Sequence, residues 1–390
     1  MTRYPYFSDE HEMFREAVAD FVRTHCSREY ARRCDMKREY PYEAYARMAE
    51  QGWFGLTLPE AEGGMGVDLL FRVVLQEELA RNAFDLGAVY GLTVWGIDVL
   101  RLFGTDQQKR RYIGPALEGH IRFSVSMTEP NAGSDLSGIE LKAVDCGDHF
   151  LLNGQKLFAS AAGAKNNVIL LVARTSRDDD SRRDGLSMFL VPNTLEGLEM
   201  RKLDTLSRKM SGTYECFYTD VRVPKENLVG QVGDAWEILN EFLIHERVGG
   251  AAMYVGNAAT AVGDALRYAT ERHQFGKSIA SFQTIKHALS DAATEIEAAR
   301  LLTYQAAWMA DRGLSCMKQA AMAKLYASEA GMRATTLGMQ ILGGYAQLPE
   351  FDMERYWRDS KQNTVSAGTS QIQRSIIGSA MLREMEVTRD

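Results

Sequence analysis

Proline is scarce in this chain. Eight occur in 390 residues, and none stands between Pro224 and Pro349. Because proline removes a backbone donor and clashes with the preceding helical turn, so long a gap permits unbroken helices. Cysteine is scarcer still: Cys26, Cys34, Cys146, Cys216 and Cys316 lie far apart, with no CxxC spacing. That excludes a zinc framework and a disulfide scaffold, so no metal is expected, and a sparse odd set suits reduced thiols. No run of 18 consecutive apolar residues occurs, and the N-terminus reaches a charged segment by Ser8 without an apolar core. Neither a membrane span nor a secretory signal is therefore expected, and the expected location is cytoplasmic. Basic excess is missing too, since the formal net charge is −7, which disfavours nucleic acid as a partner. Also absent are a GxGxxG following a strand, a GxSxG, a P-loop and an HExxH. Generic motifs alone assign no reaction.

What is present divides the chain by hydrophobic period. Residues 8–120 read as helical: Asp9 with Glu12 can form a capping box, and Met13, Phe14, Ala17, Phe21 and Val22 keep a helical spacing. Further helices are expected over Glu43–Gln51, Leu69–Asn82 and Ala88–Phe103, with a glycine-rich loop over Pro59–Asp68. At about residue 122 the pattern changes. Phe150–Phe158 holds two apolar runs around Asn153-Gly154, a strong hairpin signal, and Val168–Ala173, Leu186–Val191 and Glu215–Val223 add strand-like runs. From Ala235 to about Arg383 the chain is rich in Ala, Met, Leu and Glu and reads as helical again. The expected organisation is mainly α with a middle β domain: 1–121 helical, 122–230 β, 231–390 helical.

Four segments carry groups suited to ligand chemistry. Phe123–Asp135 is a strand running into a turn rich in hydroxyls and free amides, able to approach a polar ring or a pyrophosphate, although an ordinary β-turn reads the same way. Arg272–Gln283 breaks a helical region at Gly276 and offers an arginine and a glutamine suited to phosphate and adenine edges, although an isolated segment of this kind is more often a helix–loop–helix corner. Gln340–Ala346 and Arg358–Arg374 end helices in glycines, and capping accounts for them equally well.

Taken together, in this order and spacing, these segments resemble the acyl-CoA dehydrogenase family of flavoproteins. The resemblance runs from the Asp9-Glu10-His11 helix to Arg374. It includes Leu58-Pro59-Glu60 with Gly63-Gly64, the run Thr128–Asp135, and Asp220-Val-Arg-Val-Pro224. The family fold it implies is an N-terminal helical domain, a middle β-barrel-like domain and a C-terminal four-helix bundle. FAD is the implied cofactor, bound between the β domain and the bundle with help from a neighbouring subunit of a homo-oligomer, expected to be a tetramer.

By motif, the resemblance implies that Met127, Thr128 and Ser134 line the flavin and the start of its phosphate chain, Ser134 also facing substrate. Phe158 packs near the flavin ring and Ser160 faces its N5 side. Arg272, Phe275 and Gln283 of the partner subunit, with Gln340, Gly343 and Gly344, meet the pyrophosphate and adenosine. Thr369 and Gln371 complete that phosphate site.

The reaction needs a carboxylate to take the Cα proton and donors to hold the thioester carbonyl. Many family members carry that base in Tyr-Glu-Gly-Thr. Here the run is Val365-Ser366-Ala367-Gly368-Thr369, and Ala367 cannot accept a proton. Either the carboxylate lies elsewhere or dehydrogenation has been lost. The isovaleryl-CoA dehydrogenase branch also has Ala-Gly-Thr and takes its base from a Glu before an Arg, the place of Glu246-Arg247 here. The resemblance thus implies Glu246 as catalytic base and Arg247 as a CoA contact; Ile244 replaces an aspartate frequent in the family. It implies an acyl-CoA substrate, with the base placement hinting at a short or branched chain, and an electron-transferring flavoprotein as acceptor. The alternatives are an enoyl-CoA reductase of the crotonobetainyl-CoA reductase type, a carrier-protein-bound acyl dehydrogenase, an oxidase, and a catalytically silent flavin-binding subunit.

Overall fold

The computed structural model describes residues 4, 6–176, 181 and 183–387. Helices come first: α1 (Asp9–His25), α2 (Arg28–Lys37), α3 (Tyr42–Glu50), α4 (Leu69–Ala80), α5 (Phe84–Phe103) and α6 (Asp106–Leu117). Strands follow: β1 (Arg122–Ser126), β2 (Lys142–Asp145), β3 (His149–Ser160), β4 (Asn167–Arg174), β5 (Leu186–Pro192), β6 (Leu198–Lys202), β7 (Thr213–Pro224) and β8 (Leu228–Val229). Helices then return as α7 (Ala235–Glu271), α8 (Gln283–Asp311), α9 (Met317–Leu342), α10 (Met353–Asn363) and α11 (Ser370–Val387). The helix–strand–helix order expected from the change of period is the observed one. The proline-free stretch supplies helices of 37, 29 and 26 residues.

By backbone contacts the chain forms two compact units. One comprises Met1–Arg33, Val67–Ala88 and Glu246–Asp390; the other comprises Cys34–Gly66 and Val89–His245. The boundaries fall within α2, α5 and α7 and in the loop before α4.

In the first unit, α4 and α7 approach closely because glycines face the contact. A Cβ on Gly256 would stand 2.0 Å from the Glu77 carbonyl, and one on Gly249 would stand 2.5 Å from the Gln76 amide. Glu77 ties α1, α4 and α8 together. Its buried carboxylate accepts from Arg300 Nε at 3.0 Å and Tyr304 Oη at 2.6 Å, with Arg15 at 3.9 Å. These cations hold it well below the usual carboxylate range against the opposing effect of burial. Helix α1 starts differently from expectation. Ser8 is its N-cap, and the His11 side chain closes the box by accepting from the Ser8 amide at 3.0 Å. Asp9 and Glu12 instead place negative charge in the first turn, where the helix dipole favours it.

In the second unit the main sheet runs β6-β7-β3-β2-β4-β5-β8, with β1 pairing parallel to β4. Every residue of β4 is buried, as its unbroken apolar run requires of a strand covered on both faces. Phe150 and Phe189 meet edge to face at 4.9 Å in the core, with Ile169, Leu171 and Val221 around them. The hairpin expected at Asn153-Gly154 is not there. Strand β3 runs straight through those residues, and the turn into it lies at Cys146–Asp148, where Gly147 has φ 97°. At Asn153-Gly154 the pairing of β3 with β7 slips by a bulge. Gly154 fits there because its absent Cβ would stand 2.9 Å from Leu141 Cα. Asn153 serves the bulge, accepting from the Asp220 amide at 3.0 Å and donating to the Asp220 carboxylate at 2.9 Å.

Helix α5 is long and apolar enough by length and composition to cross a membrane, but 72% of its apolar window is buried within the protein. Asp85, Asp98 and Arg101 interrupt it. No group of three or more histidines, cysteines or carboxylates among the described residues could hold a metal ion.

Candidate functional site

Glu246 opens the first unit's share of α7. Its Oε2 is shielded from solvent with no hydrogen-bond partner. Burial pushes the carboxyl up to about 7, against the opposing charges of Arg247 and Lys324. A carboxyl so held can take a proton at neutral pH and keep it, which is what a general base needs. Arg247 is buried as well, with Nη1 2.7 Å from the Met317 sulfur, and burial lowers its guanidinium's pKa.

Lys324, on α9, was not anticipated from sequence. It is wholly buried and donates to the carbonyls of Asn363 at 3.0 Å and Gly368 at 2.7 Å. Burial draws its ammonium down to about 8. A signal existed: helical spacing puts Lys324 on one stripe with Ala320, Ala321, Ala327 and Ser328, all buried. The Asn363–Thr369 loop it grips contains Ala367 and Gly368 at φ 55° and 78°, and Gln373 Nε2 donates to both their carbonyls at 3.0 and 3.1 Å. Thr369 caps α11, its hydroxyl accepting from the Ile372 amide at 3.2 Å, and Gln371 is exposed on the first turn.

Still within the first unit, the chain after α7 turns back as a small hairpin, His273-Gln274 against Lys277-Ser278. Phe275 (φ 53°) and Gly276 (φ 76°) form its two-residue turn, the backbone that a type I′ hairpin turn demands. Phe275 is 94% exposed. Beside the hairpin lies an open hollow of about 480 Å³, lined by Arg272, Tyr268, Ile341, Gly343, Gly344 and Tyr345 among others. So Arg272, Gly343 and Gly344, chosen by motif, do meet at one hollow. Gln340, Phe275 and Gln283 do not line it; Gln340 and Gln283 are exposed at the last turn of α9 and the start of α8. Nothing in the chain lies within 4 Å of where a Cβ on Gly344 would stand, and its φ is not left-handed. Local packing therefore gives no reason for glycine there.

The second unit gathers Met127, Thr128, Phe158 and Ser160. The Thr128 carbonyl accepts from Leu157 N–H at 2.8 Å, and the Met127 carbonyl accepts from Lys156 Nζ at 2.8 Å. Lys156 also reaches Glu129 at 2.8 Å, and Glu129 further accepts from the amides of Glu140 and Leu141. Phe158 stands next in line at φ 59° and 58% exposed, an aromatic face presented outward on strained backbone. Ser160 is half-buried and pairs with Thr213, while Ser134 is exposed in the turn. Glu129 and Lys156 were not singled out from sequence; a charged residue on each of two segments shows its pairing only once β3 and the Met127–Glu129 turn are side by side.

These features fit a flavin dinucleotide. An exposed aromatic beside the turn that carries Met127 and Thr128 suits a flat ring. A glycine-floored hollow with tyrosine walls and an arginine suits the adenosine and its phosphates.

Comparison with known proteins follows the same lines. The chain matches the family models for the acyl-CoA dehydrogenase N-terminal domain over residues 8–120, the middle domain over 124–221 and the C-terminal domain over 233–382. It is 36% identical to the CarC subunit of the caffeyl-CoA reductase–Etf complex of Acetobacterium woodii, over 97% of this chain and 100% of that one. The solved glutaryl-coenzyme A dehydrogenase–glutaryl-CoA complex superposes with a TM-score of 0.92 at 34% identity, over 98% of this chain and 97% of that one. The FAD complex of PigA gives 0.90 at 25% identity, over 98% and 99%.

Proposed function

The chain belongs to the acyl-CoA dehydrogenase family of FAD-dependent oxidoreductases, and from that premise we propose that it dehydrogenates an acyl-CoA thioester at the α,β positions with Glu246 as the base. The observation that carries this reading is Glu246 Oε2, shielded from solvent and without a hydrogen-bond partner, in a chain whose Ala367 cannot serve. Glu246 takes the Cα proton on a carboxylate oxygen, and the electron pair of that C–H bond becomes the new π bond. When bound, FAD supplies the acceptor for the Cβ hydride. Met127, Thr128, Phe158 and Ser160 hold the ring end of the cofactor, with Ser134 at its phosphates and the substrate. Thr369 and Gln371 take the phosphates from their own bundle. Arg272, Phe275, Gln283, Gln340, Gly343 and Gly344 serve the adenosine half of a second subunit's cofactor in a homotetramer. Arg247 holds the substrate's CoA portion.

The placement of the base favours a short or branched acyl group. Likeness to a subunit of an Etf complex supports an electron-transferring flavoprotein as partner. The same likeness, to a reductase, favours a second reading in which the physiological direction is reduction of an enoyl-CoA. The test is a panel of acyl-CoA thioesters mixed anaerobically with the holoenzyme. Bleaching of the oxidised flavin band by a saturated thioester, lost in Glu246→Gln, supports the reading. Full bleaching by Glu246→Gln overturns the base, and no bleaching by any thioester overturns the activity. Faster reoxidation of the reduced enzyme by the enoyl product than by flavoprotein acceptor selects the reductive direction.

A further inference from the structure

Gln76 is a buried amide that the proposed chemistry has not used. It sits on α4 at 0% exposure, and neither Oε1 nor Nε2 has a hydrogen-bond partner among the described residues. The polar residues that follow it are engaged, Glu77 by Arg300 and Tyr304, and Glu78 by Arg81 at 2.5 Å. Leaving both ends of a buried amide unpaired is costly, and a methionine would fill similar space without that cost. An amide at this position therefore calls for a partner from outside the chain.

The surroundings of the amide say where that partner lies. It rests on Gly249 of α7, where a Cβ would stand 2.5 Å from Oε1 and 2.8 Å from Nε2. Glu246, Gly249, Gly250 and Met253 have the helical spacing that puts them on one face of α7. Gln76 thus reaches the face that carries Glu246, about 4.5 Å farther along the helix. Beside it, the atom nearest to where a Cβ on Gly250 would stand is the Tyr254 hydroxyl oxygen, at 3.3 Å. Met253 ends the face, its sulfur 2.8 Å from where a Cβ on Gly87 would stand.

We propose that Gln76 is a specificity-determining residue: its amide receives a hydroxyl carried by the acyl group, which donates to Oε1 and accepts from Nε2. The proposal rests on the reading that an acyl-CoA presents its acyl chain to Glu246. A hydroxyl satisfies both ends at once, whereas a carboxylate could use only Nε2 and would face the Glu246 carboxyl on the same face of α7. The substrate class is a neutral hydroxyacyl thioester with its hydroxyl beyond Cβ, on a short aliphatic chain or on an aromatic ring.

Binding tests this without turnover. Glu246→Gln holoenzyme is titrated by calorimetry with two pairs of thioesters: 5-hydroxypentanoyl-CoA with pentanoyl-CoA, and 3-(4-hydroxyphenyl)propanoyl-CoA with 3-phenylpropanoyl-CoA. The hydroxylated member of one pair is expected to bind roughly 10- to 100-fold more tightly, and the pair that shows it tells the aliphatic source from the aromatic one. In Gln76→Met on the same background that ratio is expected to fall to about one. Without thioester, Gln76→Met is expected to melt at or above its parent's temperature, because an unpaired amide gives way to an apolar chain of similar size. Equal binding within both pairs by the parent protein overturns the proposal, and so does a preference that survives Gln76→Met. A Gln76→Met protein that melts lower or does not fold also overturns it, since the amide would then be paired inside the fold, as by a trapped water. Should Glu246→Gln reduce its flavin as fast as the wild type, the base reading fails, and the binding ratios still decide the role of Gln76. No binding of any thioester overturns both.

Discussion

Lys156 and Glu129 form an ion pair at 2.8 Å inside the second unit, with the lysine side chain fully buried. The pair sews the segment Met127–Glu129 to β3, because the same ammonium also holds the Met127 carbonyl. Removing one partner strands a charge. Lys156→Met is expected to lower unfolding free energy by about 3–5 kcal/mol, whereas the double variant Lys156→Met/Glu129→Leu recovers part of the loss. Denaturant unfolding of all three proteins measures this. FAD content should fall in the single variant, since Met127 and Thr128 lose their anchor.

A raised carboxyl pKa has a sign. Glu246 titrates near 4.5 when unfolded and near 7 when folded, so the folded state binds its proton more tightly. The stability this gives is complete below about pH 4.5 and is lost as pH rises through 7. Glu246→Gln should therefore match the wild-type protein near pH 4.5 and exceed its stability at pH 8 by something on the order of 1–3 kcal/mol. Thermal melts at the two pH values decide it; equal differences at both would refute the buried, neutral carboxyl.

In activity the same group works in the opposite direction. Wild-type kcat/KM should climb through about pH 7 as the base ionises, and Glu246→Gln should lose roughly 10²- to 10⁴-fold with FAD still bound. Stopped-flow flavin reduction reads both.

The hollow beside the hairpin can be closed without touching the fold. A Cβ on Gly344 meets nothing within 4 Å, so Gly344→Leu should melt like the wild type yet retain little FAD. Arg272→Ala removes a charged donor from the same hollow and should weaken FAD by about 10- to 150-fold, the worth of a charge-assisted hydrogen bond. Cofactor titration into stripped protein measures each.

Phe275 gives a prediction with two signs. A bulky residue at φ 53° is strained, so Phe275→Gly should stabilise the isolated chain by roughly 1 kcal/mol. If the 94% exposed ring serves a second subunit, the same change should weaken self-association and FAD retention, as read by sedimentation and flavin fluorescence.

Much of the fold was legible because its signals are local and repeated. The apolar run of β4 and the alanine-rich helices after Ala235 each point one way. Asn153-Gly154 misled because glycine at a bulge and glycine in a turn look alike until the partner strand is known; here β7 decides, through Asp220. Ser8 was passed over because its box closes with a histidine, His11, where glutamate is usual. The motif residues were proposed from the resemblance. Lys156 and Lys324 were not, since a single charge in an apolar stripe reads as solvated until burial shows otherwise.

The loop from Asn363 to Thr369 owes its path to two successive left-handed residues and to donors on Lys324 and Gln373, all acting on main-chain carbonyls. The side chain of residue 367 takes no part in that fastening. A carboxylate can therefore come or go at this position while the loop stays as it is. If Glu246 is the base, as proposed, moving a base between the loop and α7 needs only two independent point changes, in either order, with no rebuilding of the bundle between them.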